Sequence, residues 1–311
     1  MNNTALFFPG QASQYVGMGK DLHDYSADVR LLYEMASDEM GIDIARLSFE
    51  GPAEELKRTA NTQPAILLHS LAVLTILREE LPSFSFAAGH SLGEYGALAA
   101  AGALSNENAV RAVIKRAALM EQACIQNPGT MAAIIGLGNE QVEEVCRKAS
   151  MSGIVVAANY NAASQVVISG TNAGVEAGIA FAKEAGAKRA LKLEVGGAFH
   201  SPLMQPAVES LAAYLEGLKI DQAVRPVIAN VTGRPVSEPT EIRQLLSQQV
   251  TAPVRWAQTM SYLAGTGVRS VIEIGPGKVL AGMARREMNL EQTINLDTLA
   301  DVKAFTSVGS R

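Results

Sequence analysis

The sequence predicts an α/β fold in which a parallel β-sheet carries helices on both faces and is interrupted by a smaller unit. Three observations support this prediction. Short apolar runs alternate with helical patterns from the start of the chain, as they do in parallel sheets. Between residues 129 and 195 the order changes to β-α-β-β-α-β, which is the ferredoxin-like order. After residue 226 the first alternation resumes, so the smaller unit is predicted to be inserted in the larger one.

The first part of the chain is predicted to contain two buried strands and three helices. The strands are apolar runs at 6–8 and 86–88, and the helices cover 63–77, 92–101 and 106–126. The helix over 63–77 is the most apolar of them. It is shorter than the roughly 20 residues that cross a bilayer, so we expect it to lie in the protein core.

The elements of the smaller unit are equally short. Its strands are predicted at 131–135, 154–158, 165–169 and 189–195, and its helices at 140–149 and 174–185. The later part of the chain adds strands at 226–230 and 270–274, helices at 241–249 and 256–264, and a helix after Gly277.

These elements divide the chain into two domains and a tail. The larger domain is discontinuous and consists of 1–127 and 196–300, and the inserted subdomain covers 128–195. Residues 301–311 are predicted to be a loosely held tail.

The composition limits the classes of function. The 311 residues include 31 acidic and 26 basic side chains, for a formal net charge of −5. This balance argues against a nucleic acid or an anionic membrane as the main partner. Cys124 and Cys146 lack the spacing of a metal or redox site, so we expect free thiols in a reducing compartment and no metal site. The start of the chain lacks the basic segment of a signal peptide, and we therefore expect a cytoplasmic protein.

The segment Gly89-His90-Ser91-Leu92-Gly93-Glu94 is typical of a nucleophile elbow. A serine between two glycines, after a strand and before a helix, sits in a turn too tight for a side chain on either flank. The amide of Leu92 would then point to where an oxyanion forms, at the positive end of the helix. The alternative is a serine that only caps the helix.

The base for such a serine has to come from a small set of histidines. The chain contains His23, His69, His90 and His200. We expect His23 to be solvated, and His69 to be a core histidine of an apolar helix. His90 precedes the serine and should point to the opposite side, although it could line the pocket. His200 follows the last strand of the inserted unit, where the chain re-enters the larger domain, so it is the candidate base; the alternative is a helix cap.

One arginine lies on an apolar helix face. At 100° per residue, Arg116 falls within a stripe of small and apolar residues. The stripe consists of Ala109, Ala112, Val113, Met120 and Ala123. A buried guanidinium needs an anion, because it keeps its proton. That anion is either a substrate carboxylate or a distant Asp or Glu.

A set of motifs in order along nearly the whole chain resembles the malonyl-CoA:acyl carrier protein transacylase family. The motifs are Phe8-Pro9-Gly10-Gln11-Ala12-Ser13-Gln14, Asn61-Thr62-Gln63-Pro64-Ala65, Gly89-His90-Ser91-Leu92-Gly93-Glu94, the helix with Arg116 and Met120, Gly197-Ala198-Phe199-His200-Ser201, and Ile274-Gly275-Pro276-Gly277. The resemblance implies an α/β-hydrolase-like core with an inserted ferredoxin-like subdomain, and an active site in the cleft between them.

The resemblance also implies roles for individual residues. Ser91 matches the acylated serine of the family, His200 its base and Arg116 its malonate-binding arginine. The backbone N–H groups of Gln11 and Leu92 match the oxyanion hole.

An amide side chain orients the histidine in this family. A Gln-x-x-x-Pro-Val pattern assigns that role to Gln249, ahead of Pro253 and Val254, and the adjacent Gln248 is the alternative.

Four further residues are candidates for the substrate pocket. They are His90, Met120, Asn159 and Phe199. In the family the segment like Asn159-Tyr160-Asn161 is usually followed by Ser-Pro, whereas Ala162 and Ala163 follow it here. Phe199 resembles the malonyl-selective version of its motif.

The activity implied is transfer of a malonyl group from malonyl-CoA to acyl carrier protein, with no cofactor, since CoA and phosphopantetheine arrive as parts of the substrates. The carrier would serve fatty-acid or polyketide synthesis, and the oligomeric state is left open.

Two other classes of function are a hydrolase that removes stalled acyl groups and a non-enzymatic carrier-binding module. Arg116 argues against the hydrolase, which should accept uncharged acyl chains. The basic residues Lys183, Lys188, Arg189 and Lys192 of the inserted domain are candidate contacts for the acidic carrier, or else plain solvated charges.

Overall fold

Two β-sheets, one mostly parallel and one antiparallel, organise the protein in a computed structural model that describes residues 3–309. In chain order the strands are β1 (Thr4–Phe8), β2 (Phe86–Gly89), β3 (Thr130–Ile135), β4 (Val155–Ala162), β5 (Gln165–Gly170), β6 (Arg189–Lys192), β7 (Val227–Ala229), β8 (Arg234–Val236), β9 (Ser270–Ile274) and β10 (Gln292–Leu296). The helices are α1 (Lys20–Tyr25), α2 (Ala27–Met40), α3 (Ile44–Glu50), α4 (Ala53–Leu56), α5 (Thr59–Leu77), α6 (Gly93–Ala100), α7 (Asn106–Gln126), α8 (Asn139–Ala149), α9 (Asn172–Glu184), α10 (Gln205–Glu216), α11 (Pro239–Gln249), α12 (Trp256–Gly265), α13 (Val279–Glu287) and α14 (Leu299–Gly309).

The larger sheet has the strand order β10-β9-β1-β2-β7-β8. Its neighbours pair in parallel except at one edge, where β8 runs antiparallel to β7. Side chains of β1 alternate between two apolar clusters: Leu6 and Phe8 pack on one face, and Ala5 and Phe7 on the other. Both faces are therefore covered, which confirms the predicted mixed α/β architecture and explains why the strand reads as a continuous apolar run.

The smaller sheet has the order β4-β5-β3-β6 and is antiparallel throughout. Helices α8 and α9 pack on it and close a separate apolar cluster. Its strand β4 also touches the chain that returns to the larger sheet: Tyr160 N–H donates to Val254 O at 2.9 Å, and Val254 N–H donates to Ala158 O at 2.8 Å. This bridge fixes one wall of the space between the two sheets.

The longest helix has the bounds that the sequence predicts. Helix α7 covers Asn106–Gln126, and the side chain of Ser105 caps it by accepting from Asn108 N–H at 3.1 Å. Helix α5 begins four residues before the predicted start. By length and composition alone α5 could cross a membrane, but 72% of its apolar window is buried inside the protein, as expected of a core helix.

The interpretation of 301–311 as a loosely held tail is wrong for the residues that the structure describes. Helix α14 covers Leu299–Gly309, and Val302 is buried in the main core. The Asp301 carboxylate accepts from Thr298 N–H at 2.8 Å, which holds the start of this helix. The edge strands β8 and β10 and the helices α1–α4 and α10 were also missing from the predicted elements.

Candidate active site

The turn after β2 holds Ser91 in a left-handed backbone conformation with φ of 53°. A Cβ on Gly89 would lie 2.0 Å from the backbone of Gly93, and one on Gly93 would lie 2.2 Å from Phe8 O, so both positions require glycine. The Asn230 side chain braces the turn: its Oδ1 accepts from Ser91 N–H at 2.7 Å, and its Nδ2 donates to Gly89 O at 2.7 Å. This geometry matches the predicted nucleophile elbow.

Gly89→Ala is expected to destabilise the protein by several kcal/mol, because the new methyl group would overlap backbone atoms that cannot move independently. Thermal and urea unfolding followed by circular dichroism would measure this loss. Gly282→Ala is the matched control. Its Cβ meets nothing within 4 Å in the middle of α13, so we expect unchanged or slightly higher stability. A Gly89→Ala protein as stable as wild type would contradict the steric argument.

His200 lies directly opposite the serine. Its Nε2 is 2.8 Å from Ser91 Oγ, and its Nδ1 is 2.8 Å from the backbone oxygen of Gln249 and 3.2 Å from that of Ala252. Carbonyl oxygens only accept, so Nδ1 carries the proton and Nε2 is free to accept one from the serine. Burial, helped by the charge of Arg116, lowers the pKa of His200 to about 3. The imidazole is therefore neutral at physiological pH, as a general base has to be.

The prediction that a glutamine side chain orients the histidine is wrong. The main-chain carbonyl of Gln249 accepts from the imidazole, whereas the Nε2 of its side chain donates to the backbone oxygen of Ser91. Gln248 is exposed and does not contact the histidine. The motif had located the right residue, but a sequence pattern does not distinguish a main-chain from a side-chain contact.

Arg116 is 1% exposed and is the charged group of the site. Its Nη2 donates to Ser91 Oγ at 3.0 Å and to Gln249 Oε1 at 2.9 Å, and its Nη1 donates to Gln63 Oε1. Its buried Nε has no hydrogen-bond partner. Among residues 3–309 no carboxylate lies within salt-bridge distance of Arg116, so the predicted alternative of a direct salt bridge to an Asp or Glu is wrong. Neutral oxygens only partly compensate a buried guanidinium, which leaves it suited to an incoming anion.

A cavity of ≈ 250 Å³ opens above Ser91 between the two sheets. The four predicted pocket residues His90, Met120, Asn159 and Phe199 all line it, together with Gln11, Ser91 and His200. Met120 accepts a hydrogen bond from Gln63 Nε2 through its sulfur at 3.6 Å.

The side chain of His90 lines this cavity, which is the role left open for it as a candidate pocket residue. Its Nε2 is 2.9 Å from Asn161 Oδ1, and its ring packs on Trp256. Asn161 belongs to β4, so this contact joins the elbow to the smaller sheet.

Two backbone donors near the serine lack acceptors. Within the described residues, neither Gln11 N–H nor Leu92 N–H makes a hydrogen bond. Gln11 lies in the loop after β1 and lines the cavity, and Leu92 begins the turn into α6. Because β1 and β2 are parallel neighbours, their carboxyl ends bring the two segments to the same edge of the sheet.

Comparisons with known proteins agree with this geometry. The family model described as the acyl transferase domain matches residues 6–310. A curated relative from Bacillus subtilis, named malonyl CoA-acyl carrier protein transacylase, is 45% identical over 295 residues, which cover 94% of this chain and 93% of that protein. The chain belongs to this transacylase family. The solved acyl carrier protein S-malonyltransferase of Vibrio cholerae has a TM-score of 0.91 at 39% identity, over 97% of this chain and 99% of that one.

Another transacylase family structure contains a partner. It is a type II PKS acyl-carrier protein in complex with its malonyl-transacylase, with a TM-score of 0.93 at 38% identity over 99% of this chain and 100% of that one. Two buried residues of this chain contact the elbow or Arg116 and were not predicted individually, namely Asn230 and Gln63. Gln63 belongs to the motif Asn61-Thr62-Gln63-Pro64-Ala65. No local pattern marks Asn230, which contacts the elbow from the end of β7.

Proposed function

We propose that the protein transfers a malonyl group from malonyl-CoA to the phosphopantetheine thiol of acyl carrier protein, through a malonyl ester on Ser91. One observation carries the proposal. Ser91 lines a cavity, and its Oγ lies 2.8 Å from a neutral imidazole and 3.0 Å from a buried guanidinium that makes no direct salt bridge within the described residues.

In the first half-reaction His200 Nε2 takes the proton of Ser91 Oγ as that oxygen attacks the thioester carbonyl of malonyl-CoA. The tetrahedral intermediate collapses, the C–S bond breaks, and the proton on His200 passes to the departing CoA thiolate. The carbonyls of Gln249 and Ala252 stabilise the imidazolium through Nδ1–H.

The N–H groups of Gln11 and Leu92 are proposed to form the oxyanion hole. Both lie beside the serine and lack acceptors, so the negative oxygen would satisfy them. Loss of one such donor typically lowers the rate by about 10²- to 10³-fold.

In the second half-reaction the carrier thiol gives its proton to His200 and attacks the malonyl ester, and Ser91 recovers its proton as the C–O bond breaks. The kinetics are ping-pong. Neither step calls for a cofactor, because CoA and phosphopantetheine are parts of the substrates.

Four exposed basic residues of the smaller sheet and its helices are candidate contacts for an acidic carrier, namely Lys183, Lys188, Arg189 and Lys192.

Arg116 is proposed to hold the free carboxylate of the malonyl group. Met120 and Phe199 would pack on its methylene, while the unpartnered Oδ1 of Asn159 and the ring of His90 complete the polar wall. An acetyl group would leave Arg116 without an anion in direct contact, which costs more than the loss of one apolar contact.

The finer description of the fold follows the same proposal. We infer an α/β-hydrolase-like domain from 1–127 and 196–300 and a ferredoxin-like subdomain over 128–195, with the active site between them. The strand order β4-β5-β3-β6 supports the ferredoxin-like assignment. A cytoplasmic location fits the two free thiols of Cys124 and Cys146.

Incubation with radiolabelled malonyl-CoA and an acyl carrier protein tests the function. Label that moves to the carrier protein supports the transferase. Release of free malonate at the same rate, with or without the carrier, would instead support a hydrolase. An unlabelled protein and carrier, with no malonate released, would overturn both enzymatic functions in favour of a binding module.

A further inference from the structure

Glu94 is a buried carboxylate that none of the proposed transfer steps uses. It lies in the first turn of α6, three residues after the nucleophile, and is 2% exposed. Its Oε2 accepts from Asn230 N–H at 3.0 Å and from Gln249 Nε2 at 2.7 Å, so both hydrogen bonds are made to the same carboxylate oxygen. A carboxylate is rarely buried this far without a cation, so its position needs an explanation.

The Gln249 side chain connects Glu94 to Arg116. Its Oε1 accepts from Arg116 Nη2 at 2.9 Å, and its Nε2 donates to Glu94 Oε2 at 2.7 Å and to Ser91 O at 3.1 Å. The amide thus turns its oxygen to the cation and its nitrogen to the anion. Arg116 and Glu94 are therefore opposite charges that do not touch each other and are bridged by one fully buried amide.

The net charge of this buried group depends on protonation of Glu94. Burial raises the pKa of Glu94 to about 7, although the hydrogen bonds from Asn230 and Gln249 and the charge of Arg116 oppose the shift. The titratable groups that face it are Arg116 from α7 and Tyr95 from its own helix, with His200 beyond Ser91. A substrate carboxylate on Arg116 would place a second negative charge in the same dry region.

We propose that Glu94 is the internal counter-ion of Arg116 and that, acting through Gln249, it sets how tightly the site binds a carboxylated acyl group. When the acyl carboxylate reaches Arg116, Glu94 takes up one proton from solvent on Oε1, and it returns that proton when the carboxylate leaves. Glu94 is therefore a positioning and specificity residue, not a catalytic one. The inference rests on the proposed function, since it assumes that the ligand of Arg116 is an acyl carboxylate.

This coupling predicts a pH dependence that is specific to charged acyl groups. As pH rises through 7, Glu94 ionises and repels the incoming carboxylate, so the KM for malonyl-CoA should increase by about tenfold between pH 6 and pH 8. The KM for acetyl-CoA should not change over this range. Glu273 also has a pKa raised by burial to about 7, but it holds the start of α13 through Leu280 and Ala281 N–H groups, so variants are needed to assign the effect.

Glu94→Gln is the decisive variant. Its amide oxygen can keep both hydrogen bonds while its NH₂ group replaces Oε1, so it imitates the protonated acid. We expect a KM for malonyl-CoA at pH 8 about tenfold below that of wild type, and no pH dependence from 6 to 8. A purely structural defect would raise KM or lower kcat and would not improve binding. Glu107→Gln, an exposed acid in the first turn of α7, is the control and should behave as wild type.

Malonamate, which has one carboxylate and no group titrating from pH 6 to 8, provides a test that does not depend on the variant folding. Its stabilisation of the wild-type protein against heat should be larger at pH 6 than at pH 8. Wild type must first acquire label from malonyl-CoA on Ser91; without that label the proposed function itself fails. If wild type is labelled but Glu94→Gln keeps the wild-type KM and pH profile, or if malonamate protects equally at both pH values, the inference about Glu94 is overturned and the proposed function stands.

Discussion

Ser91→Ala is expected to abolish the malonyl-protein adduct and to lower the kcat/KM of malonyl transfer by at least about 10⁴-fold. His200 and Arg116 lie beside the serine oxygen but carry no hydroxyl, so neither can form the acyl ester in its place. Intact-protein mass spectrometry after exposure to malonyl-CoA would detect the adduct. Transfer of radiolabel to the carrier protein would measure the rate.

The variant should fold normally, which makes the loss interpretable. The turn is held by Ser91 N–H on Asn230 and by Ser91 O on Gln249, and both contacts are made by the backbone. Ser150→Ala, at an exposed helix end in the smaller unit, should keep full adduct formation. An adduct that persists in Ser91→Ala, on any other residue, would refute the assignment of the nucleophile.

Local patterns predicted those parts of the site that depend on one element. The elbow was readable because its two glycines are required by contacts within the turn and with the neighbouring strand. Arg116 was readable because the periodicity of α7 places it on the buried face, and it is indeed 1% exposed. Arg116 comes close to Ser91 because α7 packs on α5 and on α6, the helix that follows the elbow.

Residues that act across distant elements could not be found in this way. Asn230 reaches the elbow from 139 positions further along the chain, and nothing near it in sequence marks that contact. Glu94 stands in the first turn of a helix, where acids are common, and its burial depends on Gln249 and Asn230, which are distant in the sequence. The role of Gln249 was misassigned for the same reason, since its carbonyl and its side chain serve different partners.

The end of the chain illustrates a different failure. Strand β10 is only partly buried along most of its length, so its sequence lacks the strong apolar run that marked β1 and β9. Helix α14 becomes ordered through tertiary contacts of Val302 and a local cap from Asp301. Segments with weak local sequence patterns, such as β10 and α14, form their structure by packing against a sheet edge that the rest of the fold provides.

Arg116→Ala is expected to reverse the acyl selectivity of the site. Removal of one partner from a buried, hydrogen-bonded charge pair costs about 2–5 kcal/mol, so kcat/KM for malonyl-CoA should fall by about 30- to 4000-fold. The kcat/KM for acetyl-CoA should fall far less, or rise, because the variant has no buried guanidinium that an uncharged acyl group would leave without an anion in contact. Part of any common loss will reflect the contacts of Arg116 with Gln63, Gln249 and Ser91, so the malonyl-to-acetyl ratio is the quantity to measure.

Two further variants separate charge from geometry in this test. Arg116→Lys keeps the positive charge but loses the planar two-donor face, and it should retain a malonyl preference with a weaker rate. Arg111→Ala, on the exposed face of the same helix and paired with Glu39 at 2.8 Å, should leave both substrates unaffected. If the malonyl-to-acetyl ratio of Arg116→Ala matched that of Arg111→Ala, the guanidinium would not be the carboxylate-binding group. The selectivity would then have to come from the shape of the cavity walls near Phe199 and Met120.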